Sequence, residues 1–201
     1  MTDVAPAAAG AVPREDRRNP QSHQAILQAT LDLVQDIGYT RLTIEGIAAK
    51  AGVGKSTIYR WWRSKGELVI EALANILEAE PLPDSGDTRT DLIAIVHQGI
   101  ALYSDETGAR TIIAGLVGDI HHDPELATAL RKRFIHPRRT SNRMAITRAI
   151  ERGDLPAGTD IELLIDSLVA PISYRALITD APMTPDIATK LVDQVLGAEP
   201  S

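Results

Sequence analysis

Apolar residues recur at intervals of three and four positions along almost the whole chain. The clearest case is a short segment in which Ile44, Ile47, Ala48 and Ala51 stand at i, i+3, i+4 and i+7. This spacing places all four side chains on one face of an α-helix. No segment alternates apolar and polar residues for long enough to predict a β-strand. The pattern therefore predicts an all-α protein of about nine helices.

Capping residues divide the first part of the chain into short helices. Thr43 is placed to cap the amino end of the segment described above, and Gly52 can end it in a left-handed conformation. Ser64, with Glu67 three positions later, forms a capping box that opens a further helix. The four helices predicted here span residues 23–37, 44–51, 55–62 and 65–77.

A turn-rich segment, Glu80–Thr88, separates these helices from five longer ones and marks a domain boundary. We predict an N-terminal arm over residues 1–20, which is rich in Ala and Pro and is expected to be disordered. Two helical domains follow, over residues 21–80 and 88–201. The later helices are predicted over residues 90–103, 106–120, 124–152, 158–178 and 184–196, and Pro137 is expected to bend or break the third of them.

Charge is distributed unevenly along the chain. The formal net charge is −6, which argues against non-specific nucleic-acid binding by the surface as a whole. Residues 38–66, however, contain six basic residues and a single acid, Glu45. This segment therefore carries a net charge of +5 and the remainder carries −11, so that a small basic module is attached to an acidic body.

Composition excludes several classes of function. The chain has no cysteine, which excludes disulfides, thiolate zinc sites and a cysteine nucleophile and is typical of a cytoplasmic protein. Neither a membrane span nor a secretory signal is predicted. His121, His122 and Asp123 suggest a metal site, but Asp123 before Pro124 is better explained as a helix cap. We predict no metal, no cofactor and no enzyme activity.

The segment Ala49–Thr57, AKAGVGKST, is compatible with two mechanisms. If Ala49 is accepted in place of the first glycine, it matches the phosphate-binding loop G-x-x-x-x-G-K-[ST] of an NTPase. That loop requires a buried strand before it, because the strand delivers the backbone amides to the phosphates. Here the residues before Gly54 predict an amphipathic helix, so the nucleotide-binding interpretation is disfavoured. ATP binding would reveal it.

A helix-turn-helix fits the same residues better. This motif joins two short helices by a tight turn and places the second helix in the major groove of DNA. Val53 can fill the space between the two helices, and Gly52 and Gly54 allow the turn. The leading edge of the second helix is then formed by Lys55, Ser56 and Thr57.

Residues Ala25–Leu68 resemble the DNA-binding domain of the TetR family of transcriptional regulators (TetR/AcrR type). The resemblance is carried by "GY…LTIEGIAAKAGV", by "TIYR", by an aromatic residue at Trp62 and by "SK". Farther along, "RAIERGDLPAGTDIELLIDSLVAPISYR" resembles a common ligand-binding subgroup of that family. The resemblance implies a homodimer that binds a double-stranded, pseudo-palindromic operator. It also implies a repressor that a small-molecule effector releases.

The family's DNA contacts carry over to the matching positions of this chain. Two positions depart from the family pattern. Trp61 stands where histidine or tyrosine is common, so that a phosphate contact there would use the indole N–H, and Gly66 replaces an acidic residue. The arm could add Arg14, Arg17 and Arg18 in the minor groove. The expected DNA-binding residues are Arg41, Thr43, Gly54, Lys55, Ser56, Thr57, Tyr59, Arg60, Trp61 and Lys65.

The second domain is expected to dimerise and to enclose an aliphatic pocket. Two alternatives stay open: its last two helices could be core of the monomer, and its middle helices could pack solidly, as in a DNA-binding or protein-interaction module without an effector. The expected dimer interface contains Leu164, Leu168, Ile172, Ile187, Leu191 and Val195. The expected pocket contains Val96, His97, Ile100, Tyr103, Arg110, Ile113 and Tyr174, with Leu92, Ile93, Ile112 and Leu116 as further lining.

Overall fold

The computed structural model describes residues 20–78, 81–104 and 108–197. The predicted arm lies outside these residues except for Pro20, and so do its three arginines. The α-helical segments are α1 (Pro20–Arg41), α2 (Ile44–Ala51), α3 (Lys55–Tyr59), α4 (Lys65–Ile76), α5 (Thr88–Ala101), α6 (Ala109–Asp119), α7 (Pro124–Ala129), α8 (His136–Glu151), α9 (Ile161–Tyr174) and α10 (Ile187–Leu196). We call α1–α4 the head and α5–α10 the body.

The long helix in the middle of the body is continuous across its proline. A π-helical turn, Leu130–Ile135, joins α7 to α8, and Pro137 stands just after that turn. Because proline has no N–H to donate to the preceding turn, a local change of helix type is the expected accommodation. With α7 and α8 counted as one helix, the described residues form nine helices and no strand, which confirms the predicted all-α fold.

The turn between α2 and α3 depends on one glycine. The Thr43 hydroxyl oxygen accepts a hydrogen bond from the Gly46 amide at 3.0 Å and so caps α2. Gly52 ends the helix with a φ of 67°, where a side chain would be strained. Gly54 was also expected to allow the turn. Its φ of −78° and ψ of 149° are open to any residue, so the backbone at this position does not require a glycine.

Buried apolar side chains form two clusters, and the division between them does not follow the predicted boundary at residues 80–88. The first cluster joins the head to α6 and α7, which contribute Ile112, Leu116 and Leu126 to it. The second cluster lies among the other helices of the body, α5, α8, α9 and α10. Helices α6 and α7 are therefore packed against the head, whereas the other four helices of the body pack against one another.

Polar contacts reinforce the junction between head and body. The Tyr39 hydroxyl donates to Asp123 Oδ2, and the Thr40 hydroxyl donates to Asp119 Oδ1 at 2.8 Å. Asp123 also caps α7, because its Oδ1 accepts from the amides of Glu125 and Leu126 at 3.0 and 2.9 Å. One carboxylate thus fixes the start of α7 and binds it to the end of α1.

Replacing Asp123 with alanine should lower the free energy of unfolding by about 2 kcal/mol at pH 7, since both a helix cap and a hydrogen bond are lost. Burial alone would raise the pKa of Asp123, but the hydrogen bonds from Tyr39 and from the two amides outweigh it and lower the pKa. This stabilisation is therefore complete above about pH 4 and is lost as the pH falls further.

Urea denaturation of Asp123→Ala at pH 7 and at several lower pH values checks this expectation. Asp36→Ala serves as the control, because Asp36 is an exposed aspartate on α1. The difference between wild type and Asp123→Ala should shrink as the pH falls below about 4. A difference that is constant across this range would contradict a role for the ionised carboxylate.

Candidate DNA-binding site

The third helix has one face in the core of the head and the other in solvent. Ile58 is fully buried, and Trp62, just beyond the helix, is 1% exposed. Lys55, Ser56 and Tyr59 lie on the opposite side and are exposed. The buried face fixes the orientation of α3, and the exposed face presents hydroxyl groups and a cation outward. This arrangement is suited to contacts with phosphates and base edges.

An ion pair crosses the exposed side of the helix-turn-helix. Lys55 Nζ lies 3.0 Å from Glu45 Oε1, which joins the start of α3 to the first turn of α2. Both side chains are more than half exposed. The hydrogen bond between them lowers the pKa of Glu45 and raises the pKa of Lys55, so both stay ionised at neutral pH. Sequence reasoning did not assign Glu45 a role, although it is the single acid among residues 38–66.

The other expected contacts near α2 and α3 are also on the surface. Arg41, Thr43, Gly54 and Arg60 are exposed, and Thr57 is half-buried. The Thr43 hydroxyl accepts the capping hydrogen bond through its oxygen, so its own hydrogen can still be donated to a phosphate. Gly54 and Thr57 lie at the amino end of α3 and Arg60 follows its carboxyl end, whereas Arg41 and Thr43 stand just before α2.

Trp61 does not fit the contact expected of it. Its ring packs against His23 of α1, with ring centroids 4.8 Å apart, and against the edge of Trp62 at 5.3 Å. The indole N–H is buried and meets no acceptor among the described residues. A phosphate cannot reach this N–H without movement of the ring. The expected indole contact is therefore corrected to a packing role.

Lys65 is also used within the head. Its Nζ donates to the carbonyl oxygens of Tyr39 and Leu42 at 2.9 and 3.1 Å, and it lies 4.1 Å from the centre of the Tyr39 ring. Burial lowers the pKa of this half-buried lysine. The side chain fastens the start of α4 to the end of α1, so that at most one of its three N–H groups is left for a phosphate.

Part of the expected ligand-binding set surrounds a cavity in the body. The cavity, of about 390 Å³, lies where the end of α5, the start of α6 and residues 176–183 meet, and Ile100, Tyr103 and Arg110 line it. The Tyr103 hydroxyl donates to Ser173 Oγ at 2.9 Å, and Arg110 pairs with Asp180. The cavity thus combines apolar walls with a few polar groups, as small-molecule sites do.

The remaining residues of that set lie elsewhere, because helices that are close in sequence face different neighbours. Val96 is fully buried in the second cluster with Leu92, whereas His97 and Tyr174 are exposed. Ile113 packs with Ile112 and Leu116 against the first cluster. The apolar face of α6 is thus directed towards the head, and the expected continuous aliphatic lining is not formed.

The expected dimer residues fall into two groups. Leu168 and Ile172 are fully buried within the single chain and belong to its own core, so their placement at an interface is corrected. Leu164, Ile187, Leu191 and Val195 are half-buried at the edge of the same cluster. A different set of large apolar side chains is exposed, with Leu163 at 63%, Tyr174 at 58% and Ile178 at 69%.

The other sequence alternatives find no support in the described part of the chain. Residues 44–51, before the suspected phosphate loop, form helix α2, so that loop lacks the strand it requires. Residues 20–78, 81–104 and 108–197 contain no group of three potential metal ligands. None of the helices in these ranges has the length and apolar character of a membrane span.

Comparison with known proteins gives a consistent picture. Residues 26–72 match the model of the bacterial regulatory proteins of the tetR family, and residues 82–195 match a tetracyclin repressor-like C-terminal domain. The chain is 34% identical over 163 residues to the HTH-type transcriptional regulator YdeS of Bacillus subtilis, covering 81% of each protein. It is 30% identical to the DNA-binding transcriptional repressor TetR of Mycobacteroides abscessus, covering 86% of this chain and 90% of that protein.

The crystal structure of the TetR family transcription regulator SCO0332 has the same fold. It superposes with a TM-score of 0.69 at 31% sequence identity and covers 90% of this chain and all of that one. The helix-turn-helix, the all-α body and these relatives agree with one another. The chain therefore belongs to the TetR family of DNA-binding transcriptional regulators, and it is not an enzyme.

Proposed function

We propose that the protein is a homodimeric repressor of the cytoplasm that binds a pseudo-palindromic operator and is released from it by a small-molecule effector. The observation that carries this proposal is the exposed face of α3. Lys55, Ser56 and Tyr59 project outward there from a helix held in place by buried Ile58. Exposed polar side chains on a firmly packed short helix are what insertion into the major groove requires.

The operator is tested first by selecting fragments of the source genome that the purified protein retains. A short inverted repeat should be enriched, and affinity for it should fall steeply with salt, because bound phosphates release counterions. Lys55→Ala should weaken binding to that repeat. Failure to enrich any sequence above non-specific binding would overturn the proposal and would make ATP binding by the Gly54–Ser56 segment the next test.

An apolar stripe on α9 supports the dimer. Leu163, Ala170 and Tyr174 stand at i, i+7 and i+11, which places them on one face of the helix, and all three are exposed. Ile178, just beyond α9, is exposed as well. If this stripe lies at a two-fold axis, it packs against the same stripe of a second copy. The resulting dimer would present its two α3 helices, the recognition helices, about one DNA turn apart. The proposed interface consists of this stripe and the half-buried Leu164, Ile187, Leu191 and Val195.

Replacing Leu163 with glutamate should raise the dissociation constant of the dimer by about a hundredfold, because each dimer would bury two carboxylates against apolar surface. Sedimentation velocity over a range of protein concentrations measures this constant. Val117→Glu on α6 is the matched control, since Val117 is also an exposed aliphatic side chain. The proposed interface is wrong if both variants dimerise like the wild type.

The cavity between α5 and α6 is the proposed effector site. Its Arg110 stands in the first turn of α6, and the same helix contributes Ile112 and Leu116 to the core shared with the head. A ligand that displaces Arg110 would therefore shift a helix packed against α1 of the head. A larger cleft of about 660 Å³, between α4 and α7, is lined by charged side chains of both signs and suits a small molecule less well.

The coupling must be reciprocal. An effector that weakens operator binding by 5–150-fold, typical of couplings of about 1–3 kcal/mol, must itself bind the operator complex more weakly by the same factor. Candidate ligands follow from the genes next to the selected operator. Equal affinity of such a ligand for the free protein and for the operator complex would exclude it as the effector.

A further inference from the structure

We propose that Glu45 and Lys55 act together as one base-reading pair that recognises a G·C base pair in each half of the operator. The inference rests on the proposed operator binding and adds to it a residue and a base preference. Its basis is the position of Glu45, the single acid of the basic segment 38–66, whose carboxylate is in direct contact with Lys55, the first residue of α3.

A carboxylate at this position is unfavourable for DNA binding unless a base compensates for it. Phosphates repel Glu45, and that repulsion opposes contact with any DNA, whatever its sequence. In the major groove, the amino group of cytosine can donate a hydrogen bond to such a carboxylate. Glu45 would thus penalise DNA in general and favour a site that presents this donor.

The two side chains match the edge of a G·C pair in both charge and spacing. Lys55 Nζ and Glu45 Oε1 place a donor and an acceptor 3.0 Å apart. In the major groove, guanine O6 and cytosine N4 place an acceptor and a donor side by side, about 2.9 Å apart, because a Watson–Crick hydrogen bond joins them. Lys55 can donate to guanine O6 and N7 while Glu45 accepts from cytosine N4, and the contact between the two side chains is kept.

An A·T pair is a poorer partner for the same unit. Adenine N6 can donate to the carboxylate, but the two acceptors, adenine N7 and thymine O4, lie on opposite sides of it. The lysine then has one acceptor within reach instead of two adjacent ones. Without Glu45, the flexible lysine would be free to bind any acceptor, including a phosphate. Glu45 therefore acts as a specificity-determining residue, and Lys55 supplies most of the attraction.

Lys50 and Asp32 provide a matched control within the same head. Their charged groups lie 3.2 Å apart and both side chains are partly exposed, though less so than Lys55 and Glu45; they join α2 to α1 and not to α3. Asp32→Ala removes one carboxylate from a lysine pair, as Glu45→Ala does. The two variants therefore change the net charge equally and differ in whether the lost carboxylate contacts α3.

The experiment measures affinity of the full chain for its selected operator and for a series in which each base pair of one half-site is replaced in turn. Wild type, Glu45→Ala, Lys55→Ala and Asp32→Ala are compared at one salt concentration, and circular dichroism establishes that each is folded. We expect the wild type to prefer G·C over A·T at one position by about tenfold. Glu45→Ala should lose that preference and bind random DNA more tightly, whereas Asp32→Ala should keep the preference.

Three outcomes would overturn the inference while leaving operator binding intact. In the first, Glu45→Ala tightens binding to every sequence equally and keeps all base preferences, so that Glu45 is only a repulsive charge. In the second, the preference lost on Glu45→Ala is for a base pair other than G·C. In the third, Lys55→Ala and Glu45→Ala lose preferences at different positions. Failure of the proposed function itself is distinct, because the wild type would then show no base preference at any position.

Discussion

Replacing Gly66 with alanine is expected to destabilise the protein by about 3 kcal/mol, at the upper end of the usual cost of overpacking. A Cβ at this position would lie 2.8 Å from Leu126 Cα and 2.9 Å from its amide nitrogen. Both are backbone atoms in the first turn of α7, which Asp123 holds in place. A flexible side chain cannot move aside to relieve the clash, so α4 and α7 would have to separate.

Replacing Gly115 with alanine should stabilise the protein instead of destabilising it. Gly115 lies in α6, and apart from its chain neighbours and the backbone of its own helix, no heavy atom of the described residues would come within 4 Å of a Cβ added there. Alanine should therefore stabilise the helix by roughly 0.5–1 kcal/mol. Urea denaturation of both variants measures the two effects. Equal stability of Gly66→Ala and wild type would show that α4 and α7 do not approach as closely as described.

Replacing Trp62 with alanine should cost about 4 kcal/mol, the largest effect we expect from a single substitution. Its side chain is 1% exposed and stacks on His23 at 5.0 Å, so it joins the end of the recognition segment to α1. Loss of this ring would leave a large cavity beneath α3. Operator binding should therefore be lost together with the stability of the head.

Trp61 provides the comparison for that result. It has the same side chain one position earlier but is only half-buried, so Trp61→Ala should destabilise the head less than Trp62→Ala. The unfolding of each variant is followed by circular dichroism and not by fluorescence. Each variant retains a different tryptophan, so the two fluorescence signals could not be compared directly. A greater loss of stability in Trp61→Ala would mean that the roles of the two rings are reversed.

Much of the fold follows from local patterns in the sequence. The spacing of Ile44, Ile47 and Ala48 predicts α2, and Thr43 and Asp123 cap the helices that their positions indicate. These features are accessible because helix periodicity and capping involve residues within one or two turns of each other. The helix-turn-helix is a local motif of the same kind, which is why its residues alone indicate the family.

Contacts between helices were not predictable in the same way. The periodicity of α9 shows two apolar faces, but it does not show that α5, α8 and α10 cover Leu168 and Ile172 while Leu163 and Tyr174 are left exposed. Similarly, the sequence of α6 predicts an apolar face but does not predict that this face packs against the head. A hydrophobic stripe specifies that it must be covered, and its partner depends on how distant helices pack.

Local patterns in the sequence thus specify most of the helices, their caps, the basic character of residues 38–66 and the family. Three features follow instead from the packing of the helices: the backbone of Leu126 requires a glycine at position 66, Lys65 donates to carbonyl oxygens of the head, and Glu45 contacts Lys55. The difference lies in how far apart in the chain the interacting residues are. Periodicity and capping act between near neighbours in the chain, whereas steric exclusion and ion pairing act between whichever residues the packing of helices brings together.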